Sequence, residues 1–171
     1  MKITIERKRV RHSRLALMVA IAAMTLGANS YAASTTSTAS ATVIVPIAIA
    51  AGTTLNFGTF AANSTGGTVV ITSGGARSAT GSVALSATNA GVAGSFTVTG
   101  NAGSTFAITN PGAFNVTSGA NTMSVSLTGL ATTGTLTAGT ATIQVPGTLT
   151  VGASQAPGAY SGTYTMAVEY N

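Results

Sequence analysis

Few side chains in this sequence have the chemistry that catalysis or metal binding needs. After residue 14 the chain has no Cys, His, Asp or Lys, and its only ionic side chains are Arg77 and Glu169. The usual metal ligands, nucleophile–base pairs and carboxylate dyads therefore cannot be assembled from this part of the chain. We predict that the protein is not an enzyme and that it holds no metal or cofactor.

Arg77 is the candidate residue for binding an anion or a sugar. It lies in the sequence Gly-Gly-Ala-Arg-Ser over residues 74–78, which resembles a glycine-rich phosphate loop. No lysine follows the motif and no helix-forming segment comes after it, so the sequence favours an ordinary turn. Since Arg77 is the only cation after residue 14, an ion pair with Glu169 is the other open interpretation.

The N-terminal pattern predicts a secretory signal peptide over residues 1–32. The first fourteen residues hold six basic side chains and one acidic one, which accounts for the formal net charge of +5. A 12-residue apolar run over 15–26 follows, and small residues at Ser30 and Ala32 fit cleavage after Ala32. A membrane-spanning helix needs about 20 apolar residues, so the pattern indicates a cleaved signal-peptide helix rather than an anchor.

The charge and the signal peptide together limit the location and the partners. We expect export to the periplasm, the cell surface or the extracellular space, without a transmembrane span in the mature chain. Because the chain after residue 14 is neutral, the sequence also predicts no nucleic-acid binding. The chain has no cysteine, so no disulfide can stabilise it in an oxidising compartment.

Alternating apolar and polar residues predict an all-β fold. Residues 33–42 are almost entirely Ala, Ser and Thr and indicate a flexible leader, whereas residues 43–171 form a single domain of short Val, Ile, Thr and Phe runs. The run from Tyr160 to Tyr170 alternates most clearly. Strands with one polar face build antiparallel sheets, and two stacked sheets make a β-sandwich. The pattern predicts roughly nine or ten strands, with a bulge or an edge at Pro146.

An alternating apolar row, Val43, Val45 and Ile47, directly follows the leader. It can be the first strand of its own domain, or it can complete a neighbouring subunit by strand addition. For residues 35–45 the two interpretations remain open, whereas an intramolecular strand is favoured from Pro46 onward. The three residues are therefore candidates for strand exchange.

Several motifs resemble a known family of secreted bacterial proteins. They are Ala-Thr-Val-Ile-Val-Pro-Ile over 41–47, Leu-Asn-Phe-Gly over 55–58, Val-Pro-Gly-Thr-Leu-Thr-Val over 145–151 and Gly-Ala-Tyr-Ser-Gly-Thr-Tyr over 158–164. The chain resembles the family named domain of unknown function 4402, which is similar to spore coat U-like proteins and to pilin subunits of the archaic chaperone-usher class. The resemblance implies an immunoglobulin-like, pilin-like sandwich that polymerises by donor-strand exchange, although the usual pilin cysteines are missing.

The sequence therefore predicts a structural, non-enzymatic subunit of a surface fibre, pilus or coat, assembled by β-strand complementation. Self-association, related subunits and a periplasmic chaperone are the expected partners. The alternative is a monomeric cell-surface module that binds carbohydrate or protein and has a full set of intramolecular strands. A small outer-membrane barrel is disfavoured, because the mature chain has neither charged loops nor an aromatic girdle.

Overall fold

The computed structural model describes residues 32–171, so the predicted signal-peptide helix lies outside the described residues. Thirteen strands occur between Ala48 and Tyr170, and all paired strands among the described residues run antiparallel. Residues 32–171 contain no helix, so this part of the chain has no helix that is long and apolar enough to cross a membrane. The all-β, antiparallel prediction is confirmed for this part of the chain.

The strands are short, because several of the alternating runs change partner along their length. In chain order they are β1 (Ala48–Ala51), β2 (Phe60–Ala61), β3 (Gly67–Ile71), β4 (Arg77–Gly81), β5 (Ala84–Leu85), β6 (Gly94–Thr99), β7 (Thr105–Thr109), β8 (Phe114–Ser118), β9 (Asn121–Ser126), β10 (Thr133–Thr135), β11 (Thr140–Val145), β12 (Gly147–Val151) and β13 (Ala167–Tyr170). Residues 42–171 form one compact unit.

The largest sheet has five strands in the order β4-β3-β12-β9-β8. Its register aligns Val69, Leu149 and Val125 across three neighbouring strands, and each of these side chains is at most 2 % exposed. Residues paired directly across neighbouring strands point to the same side of the sheet, so this row forms the centre of one apolar face. The opposite face is rich in threonine and serine, as the alternation requires.

Two three-stranded sheets, β1-β6-β11 and β10-β7-β13, and the pair β2-β5 complete the fold. Val98 on β6 pairs with Ile49 and Ala141 on its two neighbours, and Ile108 on β7 pairs with Val168. Most of the buried apolar side chains, from all three larger sheets and the residues next to their strands, belong to one cluster, which is consistent with a β-sandwich: Val69, Val98, Phe106, Ile108, Met123, Val125, Leu127, Leu136, Ile143, Val145, Leu149, Val151 and Met166.

Pro146 marks the point where the chain leaves one sheet and enters another. β11 ends at Val145 beside β6, and β12 begins at Gly147 beside β3 and β9. Proline has no N–H to contribute to a ladder, so it fits a position where pairing is interrupted. The predicted bulge or edge is therefore a change of sheet.

The C-terminal run is less regular than its alternation predicts. Tyr160, Tyr164 and Met166 turn inward as predicted, but the continuous strand covers only Ala167–Tyr170. Ser161 forms a single bridge to Thr117 on the edge of the five-stranded sheet, whereas β13 pairs with β7 in another sheet. The segment between them crosses from one sheet to the other, and this crossing prevents a single long strand.

Substitution of Gly134 tests how tightly the core is packed. It lies opposite Phe106 in the β10–β7 register, and a Cβ at this position would overlap the Phe106 ring, which is 1 % exposed. Because a filled core tolerates added atoms poorly, Gly134→Ala should lower the free energy of unfolding by about 1–3 kcal/mol. Urea unfolding followed by circular dichroism measures this change.

Gly74→Ala is the matched control for this substitution. A Cβ at Gly74 has its nearest neighbour at 3.9 Å, so the control should be neutral or slightly stabilising. Equal stabilities for Gly134→Ala and the unsubstituted protein would contradict the packing described for this part of the core.

Candidate functional site

A cleft of about 980 Å³ lies over the five-stranded sheet. Met123, Val125 and Leu149 of the apolar core form its floor, and the edge strand β8 contributes Phe114 and Val116. The rest of the lining comes from residues 54–62, here termed the first wall, and residues 155–164, here termed the second wall. The cleft therefore lies against the core, between an early and a late segment of the domain.

An Asn-Phe-Gly turn shapes the first wall. The Asn56 side-chain oxygen accepts a hydrogen bond from the Gly58 N–H at 2.7 Å, and the Asn56 backbone exchanges two hydrogen bonds with Val92. Asparagine favours such a turn because its side chain can bond the backbone two residues on. Gly58 has a φ of 75°, in the left-handed region that glycine adopts without strain. The turn leaves Phe57 half-buried against the core.

The side chain of Arg77, the first residue of β4, forms hydrogen bonds to the backbone of the first wall. Its Nη1 donates to the carbonyls of Phe57, Thr59 and Asn89 at 3.1, 3.2 and 2.8 Å, and its Nη2 donates to the Ser86 carbonyl. Glu169 is not among these partners, since it lies on β13 in another sheet. Arg77 is thus placed as a structural donor, and the anticipated pairing with Glu169 does not occur between these two described residues.

The second wall is held by a small polar network. The Tyr160 hydroxyl donates to the Ala156 carbonyl at 2.7 Å and accepts a hydrogen bond from the Gln155 amide at 2.8 Å. The same Gln155 amide donates to the Thr122 carbonyl on β9 at 3.3 Å. Within residues 157–165, Ser161 alone forms backbone hydrogen bonds to other described residues, and both of them are with Thr117. Much of this wall therefore keeps unpaired backbone groups.

Aromatic rings cover one part of the cleft. Tyr164 stacks on Phe114 with ring centroids 5.0 Å apart and meets the edge of Phe96 at 6.0 Å. Burial raises the pKa of the Tyr164 hydroxyl above its usual value of 10.0, because desolvation disfavours the charged phenolate. This part of the cleft is a poorly hydrated surface that favours apolar groups.

The strand-exchange candidates fall into two groups. Val43 and Val45 are 96 % and 56 % exposed, and Ile44 between them is 47 % exposed. Ile47 is half-buried and packs against the core, immediately before β1. Three consecutive large apolar side chains are thus left in water at the end of the leader, next to a residue that anchors in the domain.

The cleft is suited to binding rather than to acid–base chemistry. All of its lining side chains are uncharged, and residues 32–171 contain no group of three or more His, Cys, Asp or Glu that could hold a metal ion. Extended backbone and apolar side chains are the chemical groups that match such a lining. Gln155 was not singled out by the sequence, because its role depends on contacts between distant segments.

The family comparison covers both walls of the cleft. A family model described as "Domain of unknown function (DUF4402)" matches residues 47–170. No curated protein and no solved structure matches the chain. The match begins at Ile47, so the exposed residues Val43 and Val45 precede it.

The Tyr164 hydroxyl predicts a pH dependence of stability. Its pKa is raised in the folded state, so its contribution is complete below the unfolded pKa of about 10 and is lost as the pH rises through the folded value. Tyrosinate absorbance should show a component that titrates above pH 10 and disappears in Tyr164→Phe. If the folded protein and the urea-unfolded protein titrate alike, the desolvated position of Tyr164 is wrong.

Proposed function

The chain belongs to the family described as a domain of unknown function (DUF4402), and we propose that it is an exported, non-enzymatic structural subunit of a surface fibre, pilus or coat. In this proposal the cleft accepts residues 33–45 of another copy or of a related subunit, and β-strand complementation joins successive subunits. A periplasmic chaperone covers the same cleft before assembly. The finer assignment, an immunoglobulin-like sandwich related to spore coat U-like proteins and archaic pilins, is part of the proposal.

One observation carries the proposal: the same domain has a cleft beside its apolar core and an exposed apolar segment. Val43, Ile44 and Val45 are respectively 96 %, 47 % and 56 % exposed, and the floor of the cleft consists of core side chains. Burying one such side chain is worth about 1.5–3 kcal/mol. A second copy can cover both surfaces in one contact, which repeats along a chain of subunits.

The backbone of the second wall supports the same proposal. Outside Ser161, residues 157–165 form no backbone hydrogen bonds to other described residues. An added strand gains its affinity from such unpaired N–H and C=O groups, while its alternate side chains enter the apolar floor. An exposed segment of this kind is an association hazard unless a partner covers it.

The charge distribution removes a common obstacle to association. The cleft lining is uncharged, and residues 33–45 contain no ionisable side chain. Complementation therefore buries no charged side chain, which would otherwise carry a large desolvation cost. The low net charge of the chain after residue 14 also favours association over dispersal in water.

The second candidate function is a monomeric surface module that binds carbohydrate or protein. The half-buried aromatic rings of Tyr160, Tyr164 and Phe114 in the cleft favour it, since aromatic faces can pack against a sugar ring. This candidate predicts a monomer whose cleft takes up a ligand and whose leader has no role in binding.

Deletion of residues 33–45 separates the two candidates. In a bacterium that exports the full chain, the deletion should leave export intact and abolish multimers, because the donated segment is missing. The double substitution Val43→Asn and Val45→Asn should have the same effect, since it replaces apolar groups that would enter the cleft. Size-exclusion chromatography with light scattering and electron microscopy of shed material measure the assembly state.

Val92→Asn is the matched control, because Val92 is 43 % exposed and lies outside the leader. It should assemble like the unsubstituted protein. Multimers that persist after the deletion would exclude the donor role of residues 33–45. A monomeric unsubstituted protein would favour the binding module.

A further inference from the structure

Arg77 forms an unusual set of hydrogen bonds for the only cation among residues 32–171. Its guanidinium donates to four backbone carbonyls, those of Phe57, Thr59, Ser86 and Asn89. No carboxylate is among these partners. The cation is satisfied by the partial negative charges of carbonyl oxygens, and this arrangement ties its position to the backbone around it.

The four carbonyls belong to two segments that meet at the back of the cleft. Phe57 and Thr59 are in the first wall, and Ser86 and Asn89 are in the loop that follows β5. The segments also bond each other directly, through Thr59 N–H to the Asn89 carbonyl at 3.1 Å and Ser86 N–H to the Thr59 carbonyl at 2.9 Å. Arg77 therefore closes a three-way junction of β4, the first wall and this loop.

Gly58 allows this junction to be so compact. A Cβ at Gly58 would overlap Arg77 Nη1 and the Asn89 carbonyl, and the residue has a φ of 75°. The Phe57 ring on the other side of the wall reaches the five-stranded sheet, where a Cβ added at Gly147 would lie 3.0 Å from Phe57 Cζ. The position of this ring in the cleft is thus connected to Arg77 through one backbone segment.

We propose that Arg77 is the positioning residue of the cleft and that its guanidinium holds the first wall at the spacing that an incoming strand requires. This inference rests on the proposed function of the cleft as the acceptor of residues 33–45. Arg77 does not touch the incoming strand in this account. It acts through the Phe57 and Thr59 carbonyls, whose direction fixes the wall.

The geometry requires arginine at this position. Guanidinium is a planar fork with five N–H donors, and here two of its nitrogens serve acceptors in two different segments. A lysine ammonium is a single point charge with three donors on a shorter side chain, so it cannot serve all four carbonyls as the two Nη groups of arginine do. Charge alone is therefore not sufficient, and Arg77→Lys should behave like Arg77→Met.

Hydrogen exchange of the full exported protein tests the positioning directly. The amides of Thr59 and Ser86 should exchange roughly tenfold faster in both Arg77→Lys and Arg77→Met, because their acceptors are no longer held in place. Thr80→Val is the matched control on the same strand. It removes the two hydrogen bonds of the Thr80 hydroxyl, with the Thr68 hydroxyl at 2.7 Å and the Thr68 N–H at 3.2 Å, away from the cleft lining, and should leave both amides unchanged.

Peptide binding provides the second readout. A synthetic peptide of residues 33–45 should bind about tenfold more weakly to both Arg77 variants than to the unsubstituted protein, and normally to Thr80→Val. For these measurements all proteins carry Val43→Asn and Val45→Asn, so that another copy does not fill the cleft. Rescue of binding by lysine would overturn the requirement for a fork.

The two readouts distinguish the inference from the proposed function. Unchanged exchange at Thr59 and Ser86 would overturn the positioning role, and so would equal peptide affinity in the Arg77 variants. Exchange that rises throughout the domain, and equally in Thr80→Val, would also overturn it by indicating a general loss of stability. Faster exchange at the wall without any peptide binding by the unsubstituted cleft would support the positioning and overturn the acceptor function.

Discussion

Apolar packing between antiparallel strands must supply the stability of this domain, because the chain offers few other means. It has no cysteine, and after residue 14 its only ionic side chains are Arg77 and Glu169, which do not pair with each other. The aligned row of Val69, Leu149 and Val125 belongs to a core shared by the three larger sheets. Every other feature of the fold depends on keeping this core away from water.

The same dependence on apolar packing explains what the cleft is suited to bind. Met123, Val125 and Leu149 belong to the core and also form the cleft floor, although each is at most 5 % exposed, so the cleft borders the core directly. Filling the cleft with an apolar strand would extend the existing packing without a new kind of interaction. An Arg77 junction on one wall and a Gln155–Tyr160 network on the other would keep the cleft open for that strand.

Local patterns predicted the strands but could not predict the cleft. Alternation placed Met123, Val125 and Met166 inward, because side-chain direction along a strand depends only on near neighbours. The crossing of the C-terminal run between two sheets depends on which edges are free, and no period in the sequence records this. Arg77 was singled out for its charge, yet its partners lie 9–20 residues away along the chain, so its structural role became visible only in three dimensions.

Disulfide trapping in this cysteine-free chain tests the central claim most directly, namely that residues 33–45 of one copy occupy the cleft of another. Chains with Val43→Cys, in the donated segment 33–45, are mixed under oxidising conditions with chains carrying Ala159→Cys, in the cleft lining. The account predicts that disulfide-linked heterodimers form in preference to those between Val43→Cys and the exposed control Val92→Cys. Equal trapping at Ala159→Cys and Val92→Cys would contradict it.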